Sequence, residues 1–277
     1  MFDRKKSRLN RLFNPSGKCL DVAIDHGVFN ERSFLNGLED MEQIVKMLVE
    51  AGPDVIQMNY GQADLLQCLP GKTKPALLMR VDVGNPYNPM THRTMYNVLT
   101  NPEEPILMAL RMDAAAVVCN LLLLPDEPDL HRMTVQNAAR LRNECEKYAM
   151  PLMIEPLVMK RDQGYSVDGN KNLIVPLVRQ ARELGADIIK ADPTDHADDY
   201  YEVVQAARCP VLVRGGGKAD LQEVFQRSYA FLQQGASGLV YGRNVYQHPN
   251  PNKLVKALMA MIHEQASVEA ALQIYNQ

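Results

Sequence analysis

The sequence predicts a single (β/α)8 barrel, and three observations carry that expectation. Eight short apolar runs alternate with stretches of helical periodicity, and no two runs are joined by a tight hairpin turn. That pattern argues for parallel strands linked by helical crossovers. The 277 residues suit eight such units in one domain. Charged and polar residues also gather at the C-terminal ends of the runs, where a barrel keeps its chemistry. The rival is an open doubly wound sheet, whose first strand-to-helix turn usually carries a glycine fingerprint. The first turn here holds one glycine, Gly27.

Each element has a local reason. Ser7 to Phe13 places Leu9, Leu12 and Phe13 at helical spacing, and Asn14-Pro15-Ser16-Gly17 breaks it, giving a helical extension before the barrel. Cys19 to Asp25 reads as the first strand and ends in Asp25-His26-Gly27. A helix over Glu39 to Glu50 puts Met41, Ile44, Val45 and Leu48 on one face, stopped by Gly52-Pro53. Strands follow at Val55 to Asn59, Pro75 to Val81, Ala114 to Asn120, and Pro151 to Glu155, the last ended by Pro156. Helices are expected at Pro102 to Arg111, Leu130 to Tyr148 and Leu173 to Leu184. Long polar loops, which are usually functional, are expected at Asp82 to Asn97 and Lys160 to Asn172. The sixth strand ends at Lys190, and the seventh spans Cys209 to Arg214 after a helix at Asp199 to Ala207. Asp220 to Gln234 is a helix, Gly238 to Gly242 the eighth strand and Pro251 to Glu264 the last long helix, with room for one more after Ala266.

Composition narrows the function. With 46% hydrophobic residues the chain can bury a large core, and a net charge of −3 suggests neither a nucleic-acid nor a membrane-surface partner. No apolar run reaches the length of a membrane span. No apolar signal region follows the basic start (Arg4, Lys5, Lys6, Arg8, Arg11), which fits a solvated surface helix. The five cysteines are scattered, with no Cys-x-x-Cys pair, so reduced thiols in a cytoplasmic protein are expected.

The chemistry centres on Ala186-Asp187-Ile188-Ile189-Lys190-Ala191-Asp192. An ammonium in a buried strand is expensive unless it is paired or serves a reaction. Strand parity puts Ile188, Lys190 and Asp192 on one face. Lys190 therefore reads as an amine nucleophile that forms a Schiff base, and a neighbouring cation such as Arg214 would favour its neutral form. The alternative is an internal ion pair with Glu155 or Asp25. Asp25, His26 and Glu155 could also ligate a divalent ion, although no compact ligand motif appears. A second signal comes from Arg214-Gly215-Gly216-Gly217-Lys218 after strand seven and Gly242-Arg243-Asn244 after strand eight. Barrels often hold a phosphate in these two loops. The alternative is that the glycines only make tight turns.

Four motifs carry a resemblance. They are Gly-Lys-x-Leu-x-Val-Ala-Ile-Asp-His-Gly at strand one, Ala-Asp-Ile-Ile-Lys at strand six, Gly-Gly-x-Lys after strand seven, and Gly-Ala-Ser-Gly-Leu-Val-Tyr-Gly-Arg-Asn-Val-Tyr-Gln at strand eight. Together, from about Arg8 to Ile262, the chain resembles the archaeal-type class I fructose-bisphosphate aldolases. Their superfamily includes deoxyribose-phosphate aldolase and the thiolase acting on phosphorylated autoinducer-2. The resemblance implies a metal-free, cofactor-free Schiff-base lyase, a phosphorylated small-molecule substrate and a homo-oligomer. It assigns the Schiff base to Lys190, an orienting or protonating role to Asp25 with His26, and phosphate binding to Gly215, Gly216, Gly242 and Arg243. Two departures stand out. The family tyrosine acid/base at strand five is replaced by Leu157, with Glu155 where an aromatic residue is usual. Arg214 replaces a small residue and could bind a second anionic group. Glu155 is the expected replacement proton shuttle, its carboxyl raised by apolar walls, with Tyr60 and Asp192 as further candidates. The expectation is a class I aldolase acting on a phosphorylated sugar or keto compound. A thiolase-like acyl transferase using the same lysine and a non-catalytic sugar-phosphate binder are the alternatives.

Overall fold

The computed structural model describes residues 4–29, 31–71, 73–83, 101–162 and 164–277. Nine strands are present among them: β1 (Cys19–Ala23), β2 (Val55–Asn59), β3 (Ala76–Arg80), β4 (Ala116–Leu123), β5 (Leu152–Arg161), β6 (Tyr165–Val167), β7 (Ile188–Ala191), β8 (Val211–Arg214) and β9 (Gly238–Tyr241). All but β6 pair in parallel in the order β1-β2-β3-β4-β5-β7-β8-β9, and β9 pairs with β1. The sheet is therefore a closed eight-stranded barrel, with no edge in the ring left to cover.

Helices connect the strands and cover the outside. They are α1 (Lys6–Leu12), α2 (Met41–Ala51), α3 (Asp64–Gln67), α4 (Glu103–Arg111), α5 (Pro128–Lys147), α6 (Lys171–Glu183), α7 (Tyr200–Ala207), α8 (Leu221–Gln233), α9 (Arg243–Tyr246), α10 (Pro251–His263) and α11 (Val268–Asn276). Local chemistry sets their ends. The Asp40 side chain accepts from the Gln43 N–H to start α2, and Gly52 in the left-handed region (φ 73°) ends it. Asp220 and Ser267 start α8 and α11 in the same way.

Strand parity divides the core into two layers. Ile189 and Ala191 face outward into the helix–sheet layer with Leu20, Ile56 and Leu239. Ile188 faces inward with Cys19, Val55, Leu78, Val118, Met153, Leu212 and Val240. Lys190 shares the parity of Ile188, so the inward lysine follows from the alternation.

Three expectations are corrected. Strand five does not stop at Pro156 but runs on to Arg161. Its pairing with β7 ends at Ile154, so beyond that point only the β4 side demands hydrogen bonds and a proline is tolerated. The 160–172 stretch is not simply a loop, because Tyr165–Val167 folds back antiparallel onto Met159–Arg161. The basic first segment is not simply a solvated surface helix. Leu12 is buried in the inner layer, with Leu9 and Phe13 against it. Lys5 is buried and paired with Asp187 at 2.8 Å, Arg8 donates to the Ala114 carbonyl at 2.7 Å, and Arg11 pairs with Asp113 at 2.9 Å. Helix α1 closes the floor of the barrel. The expected loop at Asp82 to Asn97 lies outside the described residues from position 84 onward.

Candidate active site

The C-terminal ends of the strands meet at a cleft of about 520 Å³, counting the space at its mouth, and Arg80, Glu155 and Lys190 are among its lining residues. Arg80 is the hub. Its Nε donates to Asp25, its Nη1 to Asp82 at 2.9 Å and its Nη2 to Glu155 at 2.5 Å. The planar guanidinium carries a fixed fork of donors, which is why one arginine can hold three carboxylates from three strand ends. Asp82 is held in turn by the backbone N–H and the side-chain amide of Asn120, at 2.8 and 3.0 Å.

Lys190 completes a closed circuit. Its Nζ lies 3.1 Å from Glu155 Oε1 and donates to Gln57 Oε1 at 3.1 Å. Gln57 passes the link on by donating to Asp25 at 2.5 Å, and Asp25 and Glu155 both return to Arg80. Lys190 is 4% exposed and Glu155 4%, so these charges interact with little solvent screening.

The electrostatics follow from this packing. Burial pushes the Asp25 carboxyl up, but Arg80 and then Lys190 outweigh it and hold it well below the usual carboxylate range. Burial also raises Glu155, yet Lys190, Arg80 and Arg214 leave its net shift downward. Glu155 is thus an ionised carboxylate, and the expected raised value is corrected: the walls nearest it are cations, not apolar groups. Burial does raise two other carboxyls of this interior: Asp21, against Lys190, to about 8, and Asp192, against Arg214. Burial lowers His26 to about 4 despite Asp25, whose carboxylate lies 3.7 Å from Nδ1. The imidazole is therefore neutral, and it packs against Phe29, Phe34 and Tyr246 at ring distances of 5.5 to 5.6 Å.

The glycine loops form the opposite wall. Gly215, Gly216, Gly242 and Arg243 line the cleft, joined by Asn244. A Cβ on Gly242 would lie 2.6 Å from the His26 ring, so only glycine lets β9 pass that close. A Cβ on Gly215 would clash with the Tyr241 ring, and Gly216 has φ +65°, so both also demand glycine. The Asn244 amide donates to the Gly217 carbonyl at 3.1 Å and accepts from the Ala219 N–H at 3.0 Å, tying the two loops together. The Arg243 guanidinium lies 4.8 Å from the centre of the Phe34 ring.

Of the residues singled out in the sequence, Lys190, Asp25, His26, Glu155, Arg214, Gly215, Gly216, Gly242 and Arg243 converge on this cleft. Gly217 and Lys218 do not line it; both are exposed, because the loop turns outward after Gly216. Tyr60 is 44% exposed and outside the lining, and Leu157 is buried in a separate apolar cluster with Leu122 and Tyr165. Asp192 is buried and binds Arg214 through that residue's Nε and Nη2. Sequence reasoning gave no role to Arg80, Gln57, Asp21 or Phe34, and met Asn244 only as part of the turn after strand eight. Asp21 and Gln57 carried the signal that exposed Lys190, a polar residue of inward parity inside an apolar strand.

Among the described residues no group of three or more His, Cys, Asp or Glu side chains is arranged to hold a metal ion. No helix of the described residues is long and apolar enough to cross a membrane.

Comparison with known proteins agrees with the geometry. A model of the DeoC/LacD family aldolases matches residues 19–248. An uncharacterised aldolase of Saccharolobus solfataricus is 32% identical over 276 residues, covering 96% of this chain and 97% of that protein. A 3-hydroxy-5-phosphonooxypentane-2,4-dione thiolase of Yersinia pestis is 29% identical over 278 residues, covering 98% and 86%. Among solved structures, an archaeal fructose 1,6-bisphosphate aldolase superposes with a TM-score of 0.75 at 24% identity, covering 94% of this chain and 99% of that one. A Schiff-base-forming fructose-1,6-bisphosphate aldolase, solved with reaction intermediates, gives the same TM-score and identity over 94% and 100%. The chain belongs to the DeoC/LacD aldolase family, and is a carbon–carbon lyase built on a (β/α)8 barrel.

Proposed function

We propose that this protein is a class I aldolase that forms a Schiff base between Lys190 and the carbonyl of a phosphorylated ketone or keto-sugar, without a metal ion. The observation that carries this reading is the position of the Lys190 amine. It lies in a buried cleft, 3.1 Å from the Glu155 carboxylate, with two glycine loops lining the same cleft.

The steps follow from the charges. Glu155 is ionised because two cations face it. When the Lys190 ammonium passes a proton to Glu155, one of those cations is neutralised, so Glu155 holds the proton more readily at that moment. The free amine attacks the carbonyl carbon, and one proton of the attacking nitrogen passes to the oxygen to give a neutral carbinolamine. Glu155 then returns its proton to the departing hydroxyl, and two protons leave with the carbonyl oxygen as water. The resulting iminium draws the electron pair of the breaking C–C bond while the Glu155 carboxylate accepts the proton of the β-hydroxyl, so that an aldehyde leaves and an enamine stays on Lys190. Glu155 returns that proton to the enamine carbon, and water hydrolyses the iminium to release the ketone and the lysine. Asp25, locked by Arg80 and Gln57, orients the circuit and keeps its charge throughout. The loops at Gly215–Gly216 and Gly242–Arg243 would hold the phosphate and spend its binding energy on orientation. Metal independence is supported by Arg80, whose guanidinium fills the space among Asp25, Asp82 and Glu155.

Borohydride trapping in the presence of a phosphorylated ketone, read by mass spectrometry, should place one substrate adduct on Lys190. The absence of an adduct with every phosphorylated ketone tried would end the Schiff-base reading. Turnover that survives chelator supports metal independence. A second reading, acyl transfer from the same lysine, is favoured by the thiolase relative and by Leu157 at the expected tyrosine position; product formation that requires coenzyme A would select it. A cytoplasmic setting and a homo-oligomeric assembly belong to the same proposal by family resemblance, and sedimentation of the purified chain tests the second.

A further inference from the structure

Asp21 sits in the middle of β1, two residues below Ala23 and four below Asp25, with the same inward parity. It is fully buried, and neither carboxyl oxygen has a hydrogen-bond partner. On its neighbouring strands its level is occupied by Val55 and Val240, both apolar. The charged groups that act on it are Lys190 from β7, Asp25 on its own strand, Glu155 from β5 and Arg80 from β3, and Cys19 lies beneath it with the same parity. A charge count of this interior shows why it is unusual. Arg80, Lys190 and Arg214 face Asp25, Asp82, Glu155 and Asp192, so three cations already meet four carboxylates that are each paired. Arg243, the other cation lining the cleft, is not among the groups that act on Asp21, so this fifth carboxyl is bonded to no cation, and a buried unpaired charge is far more costly than a neutral acid.

We propose that Asp21 is a positioning residue of the catalytic circuit: a carboxylic acid held neutral beneath Lys190, whose neutrality leaves the lysine able to release its proton and whose ionisation at alkaline pH would retain it. The inference rests on Lys190 being the nucleophile, and it assigns the strand-one acid a role distinct from that of Asp25. Asp25 is ionised and tied to Arg80; Asp21 is neutral and acts on Lys190 through space. In the neutral state the lysine has one direct carboxylate partner, Glu155, to which it can pass its proton. An ionised Asp21 would add a second negative charge below the ammonium, in a region with little water to screen it, and hold that proton in place. Burial raises the Asp21 carboxyl to about 8, so the change falls within the range where enzymes are assayed.

The test measures Lys190 directly. Limiting acetic anhydride is applied to the parent protein and to Asp21→Asn from pH 6.5 to 10, and acetylation of Lys190 is quantified by mass spectrometry against an exposed lysine such as Lys46. The two proteins should label Lys190 alike at pH 6.5, and Asp21→Asn should label it several-fold faster at pH 9, where the parent carries the added charge beside the ammonium. Asp21→Leu, an apolar replacement of similar size, should behave like Asp21→Asn and guards against failure of one variant to fold. Identical labelling curves in the parent and both variants would overturn the proposal, as would an equal change at every pH. Borohydride trapping of the parent at pH 7 is run alongside. Its failure would reject Lys190 as a Schiff-base residue while leaving the labelling result interpretable for Asp21.

Discussion

The two ends of the barrel are built from opposite materials. At the N-terminal end, Leu12 is buried in one cluster with Cys19 and Ala76, with Leu9 and Phe13 alongside, and Lys5, Arg8 and Arg11 are tied to Asp187, Ala114 and Asp113. Below the floor, Asn14 and Ser16 bond His263, which bonds Asp54 at 2.8 Å, fixing the entering turn. At the C-terminal end the same inward positions carry Asp25, Gln57, Arg80, Glu155 and Lys190 in one hydrogen-bonded circuit. One end holds the barrel closed by apolar burial. The other holds buried charge at an energetic cost, so that its groups are fixed where a substrate enters. The contrast teaches that floor substitutions should change stability and leave the chemistry alone, whereas ceiling substitutions should change chemistry and charge-linked stability together.

The largest expected break is Lys190→Met. Turnover should fall by about a thousandfold or more, because the covalent route is lost, and the borohydride adduct should vanish. Steady-state assay and mass spectrometry check both. Glu155→Gln should follow, with kcat down about 10²- to 10⁴-fold, the usual range for a positioned acid/base. Full turnover in that variant would remove Glu155 from the proton path. Arg80→Met should lower stability by about 3–5 kcal/mol in a denaturant titration, since it strands three buried carboxylates. The matching floor variant, Leu12→Ala, should cost about 2–5 kcal/mol and leave the pH–rate profile unchanged. If Leu12→Ala alters that profile, the two ends are coupled and the contrast fails. The smallest effect expected is at Phe34→Leu. It removes the aromatic face under Arg243, worth about 0.5–2 kcal/mol, and should raise KM several-fold with kcat little changed.

Acid and alkali should sharpen the same contrast. The folded Asp25 carboxyl lies below its unfolded value, so its stabilising contribution is present above the unfolded value of about 4 and is lost as the pH falls through the folded value. Asp21 runs the other way. Its folded value of about 8 lies above the unfolded one, so its contribution is present in acid and is lost as the pH rises from about 4 through 8. Asp21→Leu should therefore gain more stability over the parent at pH 8 than at pH 5, measured by urea unfolding at both.

Lys190 was legible because a single cation interrupts Ala-Asp-Ile-Ile, and parity alone turned it inward. Gly242 and Gly216 were legible because turns that close need glycine. Arg80 was visible at the end of its strand, but nothing in Leu-Leu-Met-Arg says that three carboxylates will meet on it; those acids come from positions 25, 82 and 155. The state of Glu155 was misjudged for the same reason, since its two cations arrive from β3 and β7. Lys218 looked like part of the anion site by adjacency, and the outward turn of the loop takes it away.

The sequence by itself determined the number of strands in the ring, their parallel order and which residues point inward. Those properties follow from local apolar periodicity, glycine and proline placement, and the two-residue repeat of a strand. Only the tertiary structure decided which inward residues share a level, and therefore which carboxyl is ionised and which is not. Barrel closure sets that, by bringing strands far apart in sequence within reach of one another's charges.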